Sequence, residues 1–205
     1  MNAKASTAAI FLVALALTAF SAPYRPAPSY PGPSSLGPYS HDRDVPLKSF
    51  LTKLGTQPVR GRETYCFADK EHGLYLYATV DHHGSAVVDT VFVSTFPNCV
   101  HLKVEPAVID PGVWKTPEGI GIGSSVDEVL KAYRRPQFSE KLAVGSAAWE
   151  IRGIDKSEWP HYSLGDLLFS YGCYEGEKSI CDVLSATEMG FKKGKLIWIE
   201  IGDSE

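Results

Sequence analysis

The sequence predicts an α+β fold made of two similar halves, each a short helix packed on a small antiparallel β-meander. Two helical patterns 79 residues apart share one apolar spacing, strand-like runs follow each of them, and a segment containing several prolines lies between the two sets. The predicted organisation is a signal peptide at 1–22, a Pro-rich disordered tether at 23–40, a first half at 41–100, a linker at 101–117 and a second half at 118–205.

The N-terminus has the pattern of a cleavable export signal. Lys4 supplies a positive charge, residues 8–17 are all apolar, and Ala19 and Ser21 occupy the two small positions of a cleavage site. A membrane anchor is the alternative, but about ten apolar residues fall short of the roughly 20 that span a bilayer. We expect a secreted or periplasmic protein that has no lipid-anchor cysteine at the cleavage site and no transmembrane segment in its mature chain.

The segment after the signal is rich in proline. Residues 23–38 contain six prolines, a composition that cannot bury enough apolar surface to offset the entropy of ordering. This favours a spacer over the alternative, a docking motif for a proline-reading domain or a cell-wall polymer.

Composition and charge narrow the class of function. The chain is 44% hydrophobic and 21% charged, which is typical of a globular domain, and its net charge is −4. Without a basic surface to hold phosphates, nucleic acid is not an expected partner.

Two short helices are predicted from apolar spacing. The first begins after Pro46 and ends at Gly55, and its apolar residues fall at i, i+3, i+4 and i+7: Leu47, Phe50, Leu51 and Leu54. The second repeats the same spacing with Val126, Val129, Leu130 and Tyr133. Ser125 and Glu128 have the capping-box spacing at its start.

Strands are predicted from apolar or alternating runs bounded by turn residues. They are Tyr65–Phe67, Leu74–Val80 and Val87–Ser94 in the first half, and Ala148–Ile151, Leu167–Tyr171, Thr187–Phe191 and Leu196–Ile201 in the second. The last run places Ile197, Ile199 and Ile201 on one face and Leu196 and Trp198 on the other. A strand that is apolar on both faces is normally buried on both.

Four cysteines, an even number behind an export signal, predict disulfides. Their 32, 73 and 7 intervening residues do not supply the CxxC pairs of a zinc site. Three pairings are open, and we favour Cys66–Cys99 with Cys173–Cys181, because each bridge then stays within one half.

Residues 116–130, Thr-Pro-Glu-Gly-Ile-Gly-Ile-Gly-Ser-Ser-Val-Asp-Glu-Val-Leu, and residues 191–196, Phe-Lys-Lys-Gly-Lys-Leu, resemble motifs of a family of small exported bacterial domains. That family is typified by the outer-membrane assembly lipoprotein BamE and by β-lactamase inhibitory protein, which is a tandem of two such halves, each with a disulfide. The sequence departs from the pattern at Arg134, where the family has glycine. The resemblance implies a fold, whereas neither assembly at the outer membrane nor β-lactamase inhibition is implied.

Aromatic residues are the candidate partner-binding site. Alternation along the predicted strands places Tyr75, Tyr77, Phe92 and Trp198 on the sheet faces opposite the helices. Tyrosine and tryptophan on a rigid sheet are favoured anchors of protein interfaces, although such faces also pack on each other or under long loops. The sequence thus favours a non-catalytic protein-interaction module of the bacterial envelope or extracellular space.

The alternative function is a metal-binding protein or hydrolase centred on the turn at Asp81, His82 and His83, with His72 and His101 nearby. Adjacent histidines on an extended chain point to opposite faces, which argues against one shared metal. No serine lies in a Gly-x-Ser-x-Gly elbow. We therefore expect no catalytic residues, no metal site and no cofactor.

Overall fold

A computed structural model describes residues 32–81, 86–97, 102–136, 138–142, 165–171 and 186–202. Within these ranges the chain forms two helices and eleven strands. The helices are α1 (Leu47–Lys53) and α2 (Val126–Tyr133). The strands are β1 (Ser35–Leu36), β2 (Tyr39–Ser40), β3 (Val45–Pro46), β4 (Thr64–Asp69), β5 (Leu74–Asp81), β6 (Val87–Ser94), β7 (Val104–Pro106), β8 (Phe138–Lys141), β9 (Leu167–Tyr171), β10 (Ala186–Lys192) and β11 (Lys195–Gly202).

The predicted fold of two helix-plus-meander halves is wrong, because strands from both predicted halves form one nine-stranded mixed sheet. Its order is β7-β4-β5-β6-β11-β10-β9-β8. The ninth strand, β3, pairs with the first two residues of β6, Val87 and Val88. All neighbouring strands are antiparallel except β4 and β7, which are parallel. The protein is mostly β.

The pairing of β6 with β11 joins the two predicted halves. Val93 lies opposite Ile199 and Val91 lies opposite Ile201, so β-branched residues face each other across the junction. The strand β11 is apolar on both faces, and it lies in the interior of the sheet with β6 on one side and β10 on the other. Its composition therefore matches a central strand better than the end of a small meander.

The main core covers one face of the sheet, and both helices pack there. Leu51 of α1 and Val129 of α2 are fully buried in the same apolar cluster as Leu76, Val93 and Ile199 of the sheet. We call this face the helix side and the opposite one the outer face.

The helix bounds follow from their end signals. In α1 no side chain caps the first turn, Leu54 is the C-cap, and Gly55 follows with a φ of +74° that glycine adopts without steric cost. The predicted capping box of α2 is confirmed: the Ser125 hydroxyl accepts a hydrogen bond from the Glu128 N–H, and the Glu128 carboxylate accepts one from the Ser125 N–H.

Parts of the predicted tether and linker belong to the fold. Residues 33–40, at the end of the predicted tether, include the β1–β2 hairpin, and Leu36 and Tyr39 are buried in the main core. In the predicted linker, β7 pairs with β4, and Ile109 and Trp114 are buried. Local proline content suggested extended chain, but a few large apolar side chains anchor both segments.

The strand β11 also departs from simple alternation. The pairing shifts between Gly190 and Phe191, so that Phe191 lies opposite Leu196 while Gly190 lies opposite Trp198. Ile197 is the extra residue of this bulge. Residues that precede it in β11 therefore point to the opposite face of the sheet from the one that simple alternation predicts. Leu196 therefore faces the main core, and the prediction that it shares a face with Trp198 is wrong.

Candidate functional site

The outer face carries a second, smaller apolar cluster in which aromatic residues predominate. Its buried members are Phe92, Leu142, Leu168 and Trp198, and Tyr77, Phe96 and Ile197 pack against them in partly buried positions. None of these residues comes from a helix. We call this group the outer cluster.

Strand register brings the four predicted partner-binding residues onto this one face. Tyr77 lies opposite Phe92, and Ser94 lies opposite both Tyr75 and Trp198. Residues opposite or two apart on neighbouring strands share a face, so all four side chains leave the sheet on the outer side.

A stacked aromatic pair lies at the centre of the outer cluster. The rings of Phe92 and Trp198 are 5.3 Å apart at 19°, and Phe96 meets Phe92 edge-on at 6.2 Å. Trp198 lies directly over Gly190: a β-carbon built there would be 1.8 Å from the indole Nε1. Glycine is therefore required at position 190 for the indole to lie flat on the sheet.

The four predicted residues differ in exposure. Trp198 is fully buried and Phe92 is 6% exposed, so these two support the face and have little surface to offer a partner. Tyr75 and Tyr77 are half-buried and keep part of their surface accessible. Burial, with a smaller contribution from the Glu200 carboxylate, raises the pKa of the Tyr77 hydroxyl, so Tyr77 remains a neutral hydrogen-bonding group at physiological pH.

Phe96 is a half-buried member of the outer face that the sequence analysis missed. It follows the end of β6, and the Ser94 hydroxyl donates a hydrogen bond of 2.6 Å to the Phe96 carbonyl oxygen, which fixes the chain as it leaves the strand. The signal in the sequence was an aromatic residue two positions after the serine that ends the strand.

The histidines of the alternative hypothesis are only partly described. His72 pairs with Asp69, the distance from its Nδ1 to the Asp69 Oδ2 being 2.8 Å, whereas His82, His83 and His101 lie outside the described residues. In the described ranges no three metal-ligating side chains come together. Metal binding or hydrolysis at the Asp81–His83 turn stays an untested prediction.

The Asp69 carboxylate has a structural role. It accepts hydrogen bonds from the N–H groups of Glu71, His72 and Ile109, which ties the β4–β5 turn to the segment after β7. The bond to His72, followed by the three backbone bonds, lowers the pKa of Asp69 to about 2 against the opposing effect of burial. The same bond raises the pKa of His72.

Cys66 is fully buried and disulfide-bonded, and its partner lies outside the described residues, as do Cys99, Cys173 and Cys181. The pairings Cys66–Cys99 and Cys173–Cys181 therefore stay predictions. Among the described segments, neither helix has the length or apolar character needed to cross a bilayer.

No family model, curated protein or solved structure matches this chain. The resemblance to the BamE-like domains thus rests only on the residues that suggested it, and the single sheet departs from the tandem arrangement it implied.

Proposed function

We propose that the chain is an exported, non-catalytic module that binds another protein or component of the bacterial envelope or extracellular space. The observation that carries the proposal is the outer face, where two half-buried tyrosines lie beside a stacked pair of buried aromatic rings. Interfaces obtain most of their affinity from a few aromatic anchors in well-packed surroundings.

Some residues of the outer face are placed to contact a partner, and others hold those contact residues in position. Tyr75, Tyr77 and Phe96 keep accessible surface and are the proposed contact residues. Phe92 and Trp198 are the supporting layer, because their stacked rings fill the space beside Tyr77 and hold it in place. This revises the predicted site, in which all four aromatic residues touched the partner.

The two contact tyrosines lie on a rigid part of the fold. The strand β5 is paired along its length with β4 and β6, and Cys66, opposite Tyr77 on β4, is disulfide-bonded. Tyrosine has only two side-chain torsions, so ordering it on binding costs little conformational entropy. A preformed aromatic surface supports recognition of a protein surface.

The N-terminal sequence supports export as part of the proposal. The charged start, the apolar residues 8–17 and the small residues at 19 and 21 favour a cleaved signal peptide and hence a secreted or periplasmic location. The disulfide at Cys66 is compatible with an oxidising compartment.

The proposal is tested by capture with matched variants. Wild-type protein, Tyr77→Ser and Val59→Ser are immobilised and exposed to the envelope fraction and culture fluid of the source organism. Val59 is an exposed apolar residue away from the outer face, so its variant controls for loss of apolar surface. We expect one partner that wild type and Val59→Ser retain and that Tyr77→Ser loses by about tenfold or more, the scale of one interface anchor. Equal capture by all three proteins would contradict the assignment to the outer face.

A further inference from the structure

A groove of about 310 Å³ lies away from the outer face, between the turn of the β1–β2 hairpin, the last turn of α1 and the segment after β7. Its volume is at the lower end of the range for pockets that hold a small ligand or a side chain. The groove has no part in the proposed binding site on β5, because no residue of the outer cluster lines it.

The floor and walls of the groove are apolar. Trp114 lines it from the core, while Val108 and Val113 line it with side chains that are 70% and 56% exposed. These two valines are the most exposed large hydrophobic residues in the described part of the chain. Single exposed apolar residues are ordinary on a protein surface, but here the two most exposed ones converge on one concave site.

The groove is held in shape by its surroundings. Ile109, next to Val108, donates its N–H to the buried Asp69 carboxylate at 2.7 Å. The hairpin is tied to the same region by a hydrogen bond of 2.9 Å from the Gly37 N–H to the Lys115 carbonyl oxygen. Phe50 meets the Trp114 ring edge-on at 5.9 Å. A preformed groove spares a ligand the entropic cost of ordering the protein.

The two charged residues that line the groove differ in whether they already have an interaction partner. The Asp110 carboxylate accepts a hydrogen bond of 2.7 Å from the Gly112 N–H, and it is close enough to His72 to contribute to the raised pKa of that imidazole. Lys53 lies in the last turn of α1 with an exposed side chain, and no other residue in the described ranges forms an ion pair or hydrogen bond with its ammonium group. Asp110 keeps its negative charge but already has partners in the Gly112 N–H and the nearby His72 imidazole, so Lys53 is the charged group of the groove that is left to pair with a ligand.

We propose that this groove binds a peptide segment that carries a large apolar side chain next to an acidic residue. The apolar side chain packs on Trp114 between Val108 and Val113, and the neighbouring carboxylate pairs with the Lys53 ammonium group. A free small molecule fits less well, because pockets for such ligands enclose most of the ligand surface whereas the two valine walls remain largely exposed.

The test is an NMR titration of the isotope-labelled protein with three blocked peptides: acetyl-Gly-Leu-Glu-Gly-amide, acetyl-Gly-Leu-Lys-Gly-amide and acetyl-Gly-Ser-Glu-Gly-amide. The signals followed are the Trp114 indole N–H and the amides of Val108 and Val113. We expect saturable shifts with the Leu-Glu peptide at a Kd of about 1 mM, as suits a ligand of this size, and binding about tenfold weaker for the other two.

Matched variants assign the two parts of the site. Val108→Ser should weaken binding of the Leu-Glu peptide several-fold, and Lys53→Glu should reverse the preference between the Glu and Lys peptides. Val59→Ser and Lys48→Glu, which change residues of the same type outside the groove, should leave both affinities unchanged.

Several results would overturn the inference. Absence of saturable shifts at Trp114, equal affinity for the three peptides, or Lys53→Glu binding like wild type would each do so. Shifts of the same signals on anionic lipid vesicles but not on peptide would instead assign the groove to a membrane surface. None of these outcomes changes the capture expected through Tyr77, so the proposal for the groove and the proposal for the outer face are tested independently.

Discussion

Replacing Asp69 with Asn should destabilise the protein by more than its size suggests. Asp69 is 6% exposed at the end of β4, and its Oδ1 accepts the N–H groups of Glu71 at 2.9 Å and His72 at 3.1 Å. Its Oδ2 accepts the Ile109 N–H at 2.7 Å and faces the His72 Nδ1 at 2.8 Å. One carboxylate thus joins a hairpin turn to the segment that leads to Trp114.

The cost of Asp69→Asn can be worked out bond by bond. Asn keeps one oxygen for the turn, but its amide group faces the Ile109 N–H and leaves a buried donor unpaired, which costs about 1–3 kcal/mol. The ion pair with the exposed His72 is also lost, and solvent screening makes that contribution the smaller one. We therefore expect the free energy of unfolding to decrease by about 1–3 kcal/mol, most of it from the unpaired Ile109 N–H. His72→Gln leaves the Ile109 bond intact and should therefore cost less than Asp69→Asn.

The same pair predicts a pH dependence with a defined sign. The pKa of Asp69 is lowered in the folded state, so its stabilising effect is present above the ordinary value of 3.8 and is lost as the pH falls towards about 2. The pKa of His72 is raised, so its effect is complete below the ordinary value of 6.5 and is lost as the pH rises through the folded value. Both effects are present together in mildly acidic solution.

The assay is urea unfolding of wild type, Asp69→Asn and His72→Gln at about pH 5.5 and about pH 8.5, which lie on either side of the His72 transition. Wild type should lose stability between these values by more than either variant does. A difference below about 0.5 kcal/mol between Asp69→Asn and wild type, the size of an ordinary surface effect, would refute the reasoning. So would a His72→Gln variant as unstable as Asp69→Asn.

Three further predictions follow from the packing. Gly190→Ala should destabilise the protein by about 3 kcal/mol or more in urea unfolding, because the new methyl group overlaps a buried indole. The control Gly73→Ala meets no atom within 4 Å and should cost only about 1 kcal/mol, because alanine is strained at its positive φ. Leu36→Ala should lower the free energy of unfolding by about 2–5 kcal/mol, because it truncates a core side chain. A value near zero would show that Leu36 belongs to a disordered tether and not to the core. Peptide mapping of the non-reduced protein should recover Cys66 joined to Cys99, and any other partner would refute that pairing.

Local patterns predicted both helices and the longer strands, but not the short strands β1, β2, β3, β7 and β8, and the predicted strand Ala148–Ile151 lies outside the described residues. The strands β6 and β9 have the predicted bounds, and both helices occur where the apolar spacing placed them. The capping box of α2 was predictable for the same reason, because Ser125 and Glu128 interact across a single turn. Each of these features depends on residues that are close together in the chain.

The arrangement of the elements was not predictable in the same way. Nothing local pairs β6 with β11, since the contact of Val93 with Ile199 crosses more than half the chain. The similarity of the two helix-plus-strand patterns favoured two separate sheets. One signal pointed to the observed sheet: a strand that is apolar on both faces is expected in a sheet interior, and β11 lies there.

For the candidate site, too, the features set by local sequence were predictable and the features set by contacts between strands were not. Alternation correctly placed Tyr75, Tyr77, Phe92 and Trp198 on one type of face, because side-chain direction in a strand is a local property. Exposure depends on what packs above the face, so the burial of Phe92 and Trp198 was outside the reach of the pattern. The bulge opposite Gly190 likewise arises from pairing between strands, and it reversed the side predicted for residues 196 and 197.

Site-specific photo-crosslinking from the outer face tests the central claim most directly. A photoreactive phenylalanine analogue replaces Tyr77 in one protein and Asp127, on the exposed surface of α2, in another. After illumination in the producing cells or their culture fluid, we predict that position 77 forms a covalent adduct with one partner and that position 127 does not. An adduct with the same partner from position 127 and none from position 77 would contradict a binding site on the outer face.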